Sequence, residues 1–210
     1  MGKSALRRQD IIERVAFCVV HHHGIKGLTM QGIAEATGVS LWALRYGFDN
    51  VDRLFRAVVA DYVQRIQDRL RYDRPARGAV IDSIHDYAAF VAEAMRSDEY
   101  RDFLYLVVRN GNDQSWLQEA YERQIVGNMV RDIDRLVLAA GQAHGTTILL
   151  KEGAASRFVK RIETELVLPS LLPPFRPASS DGELSDLVRA MARELFEASY
   201  VFEWEPASAA

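Results

Sequence analysis

The amino-acid sequence predicts an all-α fold of about nine helices. Apolar residues recur at the three- and four-residue spacing of amphipathic helices along almost the whole chain. Glycines, prolines and capping residues separate these stretches, as they do at helix ends. No Asn-Gly or Asp-Gly pair joins two alternating apolar runs, so the sequence predicts no β-hairpin.

The N-terminal part is predicted to hold three helices and the start of a long fourth one. The first ends before Gly24, and its apolar stripe comprises Ile12, Val15, Ala16, Val19 and Val20. Thr29 and Ser40 are expected to cap the second and third helices, which are short. The long fourth helix carries an apolar face of Leu54, Phe55, Val58, Val59, Tyr62 and Ile66.

The rest of the chain is also predicted to be helical. Helices are expected over 80–91, 117–140, 152–168 and 184–201, with a loop rich in Pro and Ser between the last two. The run 103–108 alone could be a strand, because a short apolar run does not settle its own type. Its helical surroundings favour a buried helix.

The composition is that of a globular protein. The chain has 210 residues, of which 49% are hydrophobic and 26% charged, which excludes a disordered chain and a cysteine-rich scaffold. The single cysteine, Cys18, cannot form an internal disulfide, which fits a reducing compartment. No apolar run reaches the roughly 18 residues that span a bilayer, and the N-terminus does not resemble a signal peptide. We therefore expect a cytoplasmic protein with no membrane partner.

The charge is distributed unevenly. The net charge is −3, but residues 1–55 carry seven basic and five acidic residues, a net charge of +2, and the remainder carries −5. A basic N-terminal part followed by an acidic remainder is the distribution expected for a small DNA-binding domain attached to an acidic one.

Residues 24–54 predict a helix-turn-helix. Two short helices flank Gly38-Val39-Ser40, where Gly38 supplies the turn conformation and Ser40 caps the second helix. Ile33, Ala34 and Leu44 are expected to face inward. The second helix could then place its first residues in a major groove.

This stretch resembles the DNA-binding signature of the TetR family of transcriptional regulators. The resemblance rests on the segment Thr29–Ser40, with Leu44, Phe48 and Leu54 at the family spacing. It implies a DNA-binding domain over 1–50 and an effector-binding and dimerisation domain over 51–210. It also implies a homodimer, acting as a repressor, that binds a near-palindromic double-stranded operator and is released by a small, largely apolar effector. The residues expected at the DNA are Lys26, Thr29, Gln31, Ser40, Leu41, Trp42, Arg45 and Tyr46.

The chain departs from the family pattern within this motif. Leu41 replaces the usual basic residue, Trp42 a small one, Arg45 an aromatic and Gly47 a histidine. Val51 replaces a lysine that contacts phosphate in the family, and phosphate contacts supply much of the affinity for DNA. Basic residues of the N-terminal part, Lys3, Arg7, Arg8, Lys26, Arg45 and Arg53, could compensate. The alternative is a small-molecule binding or interaction protein on the same scaffold, with weak or lost DNA binding.

Aromatic residues of the middle region are candidates for an effector cavity, although aromatics at helical spacing usually belong to a core. The predicted ligand-binding residues are Tyr62, Tyr87, Phe90, Tyr105, Arg109, Trp116 and Tyr121. Arg109 ends an apolar run, so it needs a partner. That partner could be a ligand anion, a carboxylate such as Asp113 or Glu119, or solvent.

The two C-terminal helices are predicted to form the dimer interface. They are more apolar than one small body needs, and a large exposed apolar patch marks an interface. In the TetR-like architecture such helices pair as a four-helix bundle. The predicted interface residues are Phe158, Ile162, Leu166, Leu184, Leu187, Met191 and Leu195.

No enzyme signature occurs, so neither catalytic residues nor cofactors are predicted. His21, His22 and His23 are adjacent on a helix and point in different directions, so they cannot chelate one metal ion together. Their place at a helix C-terminus suits the helix dipole instead.

Overall fold

The structure is a computed structural model that describes residues 7–21, 27–75, 79–168, 181–197 and 199–203. Its helices in the N-terminal half are α1 Arg8–His21, α2 Met30–Thr37, α3 Leu41–Gly47, α4 Val51–Arg69, α5 Val80–Met95 and α6 Asp98–Asn110. Those that follow are α7 Ser115–Ala120, a π-helical segment π1 Tyr121–Val126, α8 Gly127–Ala143, α9 Ala154–Arg161, a second π-helical segment π2 Ile162–Val167 and α10 Asp181–Glu197. Two strands are also present, β1 Thr146–Leu150 and β2 Ser199–Glu203.

The helical prediction is confirmed. Because π1 joins α7 to α8 and π2 continues α9 without a break, the described residues form nine helices when 115–143 and 154–167 are each taken as one. The ambiguous run 103–108 lies within α6 and is helical, as its surroundings indicated.

The two strands were not predicted. Strand β1 pairs antiparallel with β2, so that Ile148 faces Val201 and Leu150 faces Ser199. The helix predicted over 184–201 therefore ends at Glu197, and Tyr200 belongs to a strand. Gly141 lets α8 approach β1, since an added Cβ would lie 3.0 Å from the Thr146 carbonyl oxygen.

The chain divides into two compact units. The first comprises Met1–Gln67 with Asp98–Tyr121, and the second comprises Asp68–Ser97 with Glu122–Ala210. The core of the first includes the fully buried side chains of Val15, Ile33, Leu44, Leu54 and Phe103. That of the second includes Tyr87, Val91, Ile133, Ile162 and Ala192. The division into DNA-binding residues 1–50 and effector-binding residues 51–210 is functional, and it stays a prediction.

Candidate nucleic-acid interface

Local hydrogen bonds fix the turn between α2 and α3. The Thr29 hydroxyl accepts the Gly32 backbone N–H at 3.0 Å, and the Ser40 hydroxyl accepts that of Ala43 at 3.1 Å. Gly38 ends α2 in the left-handed conformation, with φ of 69°, and donates its N–H to the Ala34 carbonyl. The predicted caps and turn glycine are therefore present where the sequence placed them.

Buried residues hold the two short helices together. Ile33, Val39 and Leu44 are at most 1% exposed, and they lie on α2, the turn and α3 respectively. The Phe48 ring is also buried and lies beneath the Arg8 guanidinium, 4.8 Å from its carbon to the ring centroid. Packing from one side leaves the opposite side of α3 open.

The open side of α3 carries two stacked aromatic rings. Trp42 and Tyr46 are 71% and 82% exposed, with ring centroids 5.2 Å apart and planes 13° apart. Arg45 is exposed beside them, and Leu41 is half-buried. Sequence reasoning placed these side chains on one surface but missed the stacking, which their spacing of four residues could have indicated.

The other predicted DNA-contacting residues lie around this surface. Gln31 is exposed on α2 and donates to the Glu35 carboxylate at 3.0 Å. Thr29 and Ser40 are exposed, but their hydroxyls already accept backbone N–H groups as caps. Lys26 lies outside the described residues. Contact of any of these residues with DNA stays a prediction.

Acidic neighbours pair the basic residues at the start of α4. The Asn50 side chain caps this helix by accepting the Arg53 N–H at 2.9 Å. The Arg53 guanidinium pairs with Asp49, and that of Arg56 with Asp52 at 2.8 Å. All four side chains are about half exposed or more, so solvent screens these pairs and the arginines can exchange partners.

Five of the predicted effector residues lie in the first unit, and the hydroxyls of two of them, Tyr62 and Tyr121, contact protein groups. The Tyr62 hydroxyl donates to Asp102 at 3.5 Å, and that of Tyr121 lies 3.4 Å from the Tyr100 hydroxyl. Burial, with help from the Asp102 carboxylate, raises the pKa of Tyr62 to about 12. The remaining three are Tyr105, Arg109 and Trp116.

Arg109 is exposed, so solvent, one of the partners expected from the sequence, reaches its guanidinium. Its guanidinium donates to the Val20 carbonyl at 3.3 Å and lies 5.6 Å from the Tyr105 ring centroid. These contacts give the cation partners within the protein.

The other two predicted effector residues lie in the second unit. Tyr87 is fully buried, its hydroxyl donates to the Met129 carbonyl at 3.2 Å, and burial raises its pKa. Phe90 lines an open cleft of about 470 Å³ together with Arg69, Arg74 and Asp86. The seven candidates are therefore divided between the units, and a shared effector cavity stays a prediction.

Most of the predicted dimer residues are buried within the second unit. Phe158, Ile162, Leu166, Met191 and Leu195 are at most 3% exposed in the single chain. The expectation that these helices are more apolar than one subunit can bury is wrong for these residues, because α9, π2 and α10 pack together and against α5 and α8. Leu187 is partly exposed, and the Leu184 side chain is not among those described. Dimerisation itself stays a prediction.

The described part of the chain contains His, Cys, Asp and Glu residues of the kinds that a metal site or a reactive thiol would use. No group of three His, Cys, Asp or Glu residues there could hold a metal ion. Burial raises the pKa of the Cys18 thiol, which lowers its reactivity at neutral pH. The side chains of the three adjacent histidines lie outside the described set. No helix among the described residues is long and apolar enough to cross a membrane.

Two solved structures share this architecture across nearly the whole chain. A protein assigned to the TetR family of transcriptional regulators from Mesorhizobium loti MAFF303099 is 15% identical, with a TM-score of 0.60 over 95% of this chain and 99% of its own. This chain has the TetR fold. A transcriptional regulator from Rhodococcus sp. Rha1 is 11% identical, with a TM-score of 0.63 over 96% of this chain and 100% of its own.

Neither family profiles nor curated sequences match this TetR-fold chain. A fold does not by itself define an activity. The helix-turn-helix surface is the feature of this chain that points to a function.

Proposed function

We propose that the chain is a DNA-binding transcriptional regulator that acts in the cytoplasm as a homodimer on a near-palindromic operator. The observation that carries this proposal is the open face of α3, where Trp42, Arg45 and Tyr46 are exposed on a helix fixed by Ser40 and Leu44. In a helix-turn-helix this is the surface that enters the major groove.

The charges of the N-terminal part support the same surface. Its net charge of +2 contrasts with −5 elsewhere, and Arg8 and Arg45 are exposed on α1 and α3. Binding to phosphates releases counterions, so the logarithm of the binding constant falls linearly with the logarithm of salt concentration. A steep dependence on salt would support DNA binding through these cations.

Selection from a random duplex pool with the full chain tests the proposal. Sequencing of the selected duplexes should reveal a two-fold symmetric motif whose half-sites are about one helical turn, roughly 34–36 Å, apart. Arg45→Ala should weaken binding to the selected duplex by about 1–3 kcal/mol if Arg45 contacts a guanine. Enrichment of no sequence over an unselected pool would contradict the proposal.

We further propose that the regulator is a repressor released by a small, largely apolar effector. The cleft beside Phe90 has a volume of about 470 Å³, within the roughly 300–1,000 Å³ of small-molecule sites. Ala89, Phe90 and Ala94 offer an apolar surface there, and the charged side chains beside them suit a polar end of the effector. Such a ligand must bind the DNA-free state more tightly than the DNA-bound state. A screen for small amphipathic molecules that release the selected duplex would identify candidate effectors. Phe90→Ala should abolish the response to them. Val108→Ala is the control, because Val108 is exposed in the first unit, and it should keep the response. Hits that bind without changing DNA affinity would contradict an effector role.

A second candidate is a small-molecule binding protein that keeps this scaffold without binding DNA. The observation that favours it is the start of α4, where Val51 is apolar and Asp49 and Asp52 pair with the nearby Arg53 and Arg56 and compete with phosphates for them. This candidate expects no shift of any duplex at low salt, whereas the first expects a selective and salt-dependent shift.

A further inference from the structure

The exposed surface of α3 is mostly apolar. The seven residues of the helix, Leu41–Gly47, include one charged side chain, Arg45, and no Asn, Gln, Asp or Glu. The polar groups that bind base edges most selectively are therefore reduced to one guanidinium, with the Trp42 N–H and the Tyr46 hydroxyl. Through hydrogen bonds alone, this helix can therefore discriminate between bases weakly.

The two aromatic side chains form a single apolar surface. Residues four apart on a helix are neighbours, and the rings of Trp42 and Tyr46 stack with centroids 5.2 Å apart. Leu44 is fully buried and lies on the other side of α3, so the stacked pair faces away from the core. Trp42 and Tyr46 remain 71% and 82% exposed despite the stacking, which gives a preformed surface for a partner.

The major groove offers one apolar group to such a surface. Of the four base pairs, those with thymine present a C5-methyl group, and the other base edges there present hydrogen-bond donors and acceptors. Successive base pairs are about 3.4 Å apart, so a pair of rings 5.2 Å apart covers a window of two or three base pairs.

We propose that Trp42 and Tyr46 recognise thymine methyl groups, so that each operator half-site carries thymines beneath the stacked rings. This inference rests on the proposed DNA binding and adds how the base sequence is recognised. DNA is favoured over a protein partner because these rings occupy the exposed face of the second helix of a helix-turn-helix, in the part of the chain with net positive charge.

Replacement of thymine by deoxyuridine isolates the methyl group, because it removes that group and leaves every hydrogen-bonding atom in place. The duplex is first selected with the wild-type chain, and each thymine is then replaced in turn. At one or two adjacent positions per half-site, deoxyuridine should lower the affinity about fourfold, the loss expected for one buried methyl group. Thymines elsewhere in the duplex should tolerate the replacement.

Variants of the protein then assign the methyl contact to the rings. Trp42→Ala or Tyr46→Ala should bind the thymine and deoxyuridine duplexes equally at those positions, because the surface that distinguishes them is gone. Phe17→Ala is the matched control, since Phe17 is an aromatic side chain on α1 that is also 71% exposed. It should keep the fourfold preference for thymine.

The outcomes separate this inference from the proposed function. Selection of a duplex in which every deoxyuridine is neutral would overturn the methyl recognition and leave DNA binding intact. Selection of no duplex would overturn both. A change in the oligomeric mass of Trp42→Ala without any change in thymine preference would assign the stacked rings to a protein interface and overturn the inference.

Discussion

Arg56 of α4 lies over the indole ring of Trp116 in α7, with 4.2 Å between the guanidinium carbon and the ring centroid. Phe55 meets the same indole nearly edge-on, with centroids 5.6 Å apart and planes 75° apart. The indole N–H donates to the Gln114 side chain at 2.6 Å. The helix that follows the helix-turn-helix is thus attached to α7 within the first unit by one aromatic side chain.

Loss of this indole should weaken the first unit. Trp116→Ala should lower the free energy of unfolding by about 1–2 kcal/mol, because Trp116 is half-buried and its contacts with Arg56 and Phe55 are lost. Urea denaturation followed by circular dichroism measures the change. Trp116→Phe retains a ring against Phe55 and should cost less than half as much. A loss below about 0.5 kcal/mol for Trp116→Ala, typical of a surface substitution, would contradict the attachment.

The turn of the helix-turn-helix depends on the backbone conformation of Gly38. Nothing lies within 4 Å of a Cβ added there, so Gly38→Ala is opposed only by the positive φ of 69°. The cost should be about 1–2 kcal/mol of unfolding free energy. Gly47→Ala is the matched control, because Gly47 is helical and its new Cβ would make an ordinary 3.7 Å contact with the Ile11 side chain of α1. It should be neutral or slightly stabilising, and equal effects of the two substitutions would refute this explanation of the turn.

Much of this motif could be predicted because its determinants are local. Thr29, Gly38 and Ser40 act on residues within four positions of themselves, so the sequence shows both the residue and its partner. The same holds for the helical type of the run 103–108, which the surrounding periodicity settles.

The features that could not be predicted depend on distant residues. Ile148 pairs with Val201, more than 50 positions away, and no local pattern connects them. Apolar spacing at Phe158 and Met191 correctly indicated burial, but it could not tell whether the covering surface belongs to the same chain or to a partner. The structure supplies that surface from the chain itself.

The raised pKa of Tyr62 predicts a specific loss of stability in alkali. The folded state holds the phenol proton up to about pH 12, whereas the unfolded chain releases it near its ordinary value of 10. Stability from this group is therefore complete below pH 10 and decreases as pH rises from 10 to 12. Tyr62→Phe cannot ionise, so its unfolding free energy should fall less steeply across that interval. Parallel curves for the two proteins in urea denaturation at stepped pH would contradict the assignment.

Leu187 is the described residue of the predicted interface that remains partly exposed, so it gives the clearest test of the dimer. The wild-type chain should have twice its 23.7 kDa mass in light scattering at micromolar concentration. Leu187→Glu should give a folded monomer, because a charge is costly in an interface core. Val108→Glu introduces the same charge at an exposed site in the first unit and should remain dimeric.

A monomeric wild-type chain would refute the proposed dimer. Dissociation by Val108→Glu together with no effect of Leu187→Glu would place the interface on a surface other than α10. Ile162→Glu cannot serve here, since Ile162 is fully buried in the second unit and the substitution would unfold it.

The central claim is that α3 binds DNA with sequence selectivity, and the ratio of two affinities tests it most directly. The full chain is titrated with the selected duplex and with a scrambled duplex of the same composition at about 0.15 M salt. We expect the selected duplex to bind roughly 1,000-fold more tightly or better, as specific regulators do. Equal affinities for the two duplexes, or no binding of either at low salt, would contradict the account.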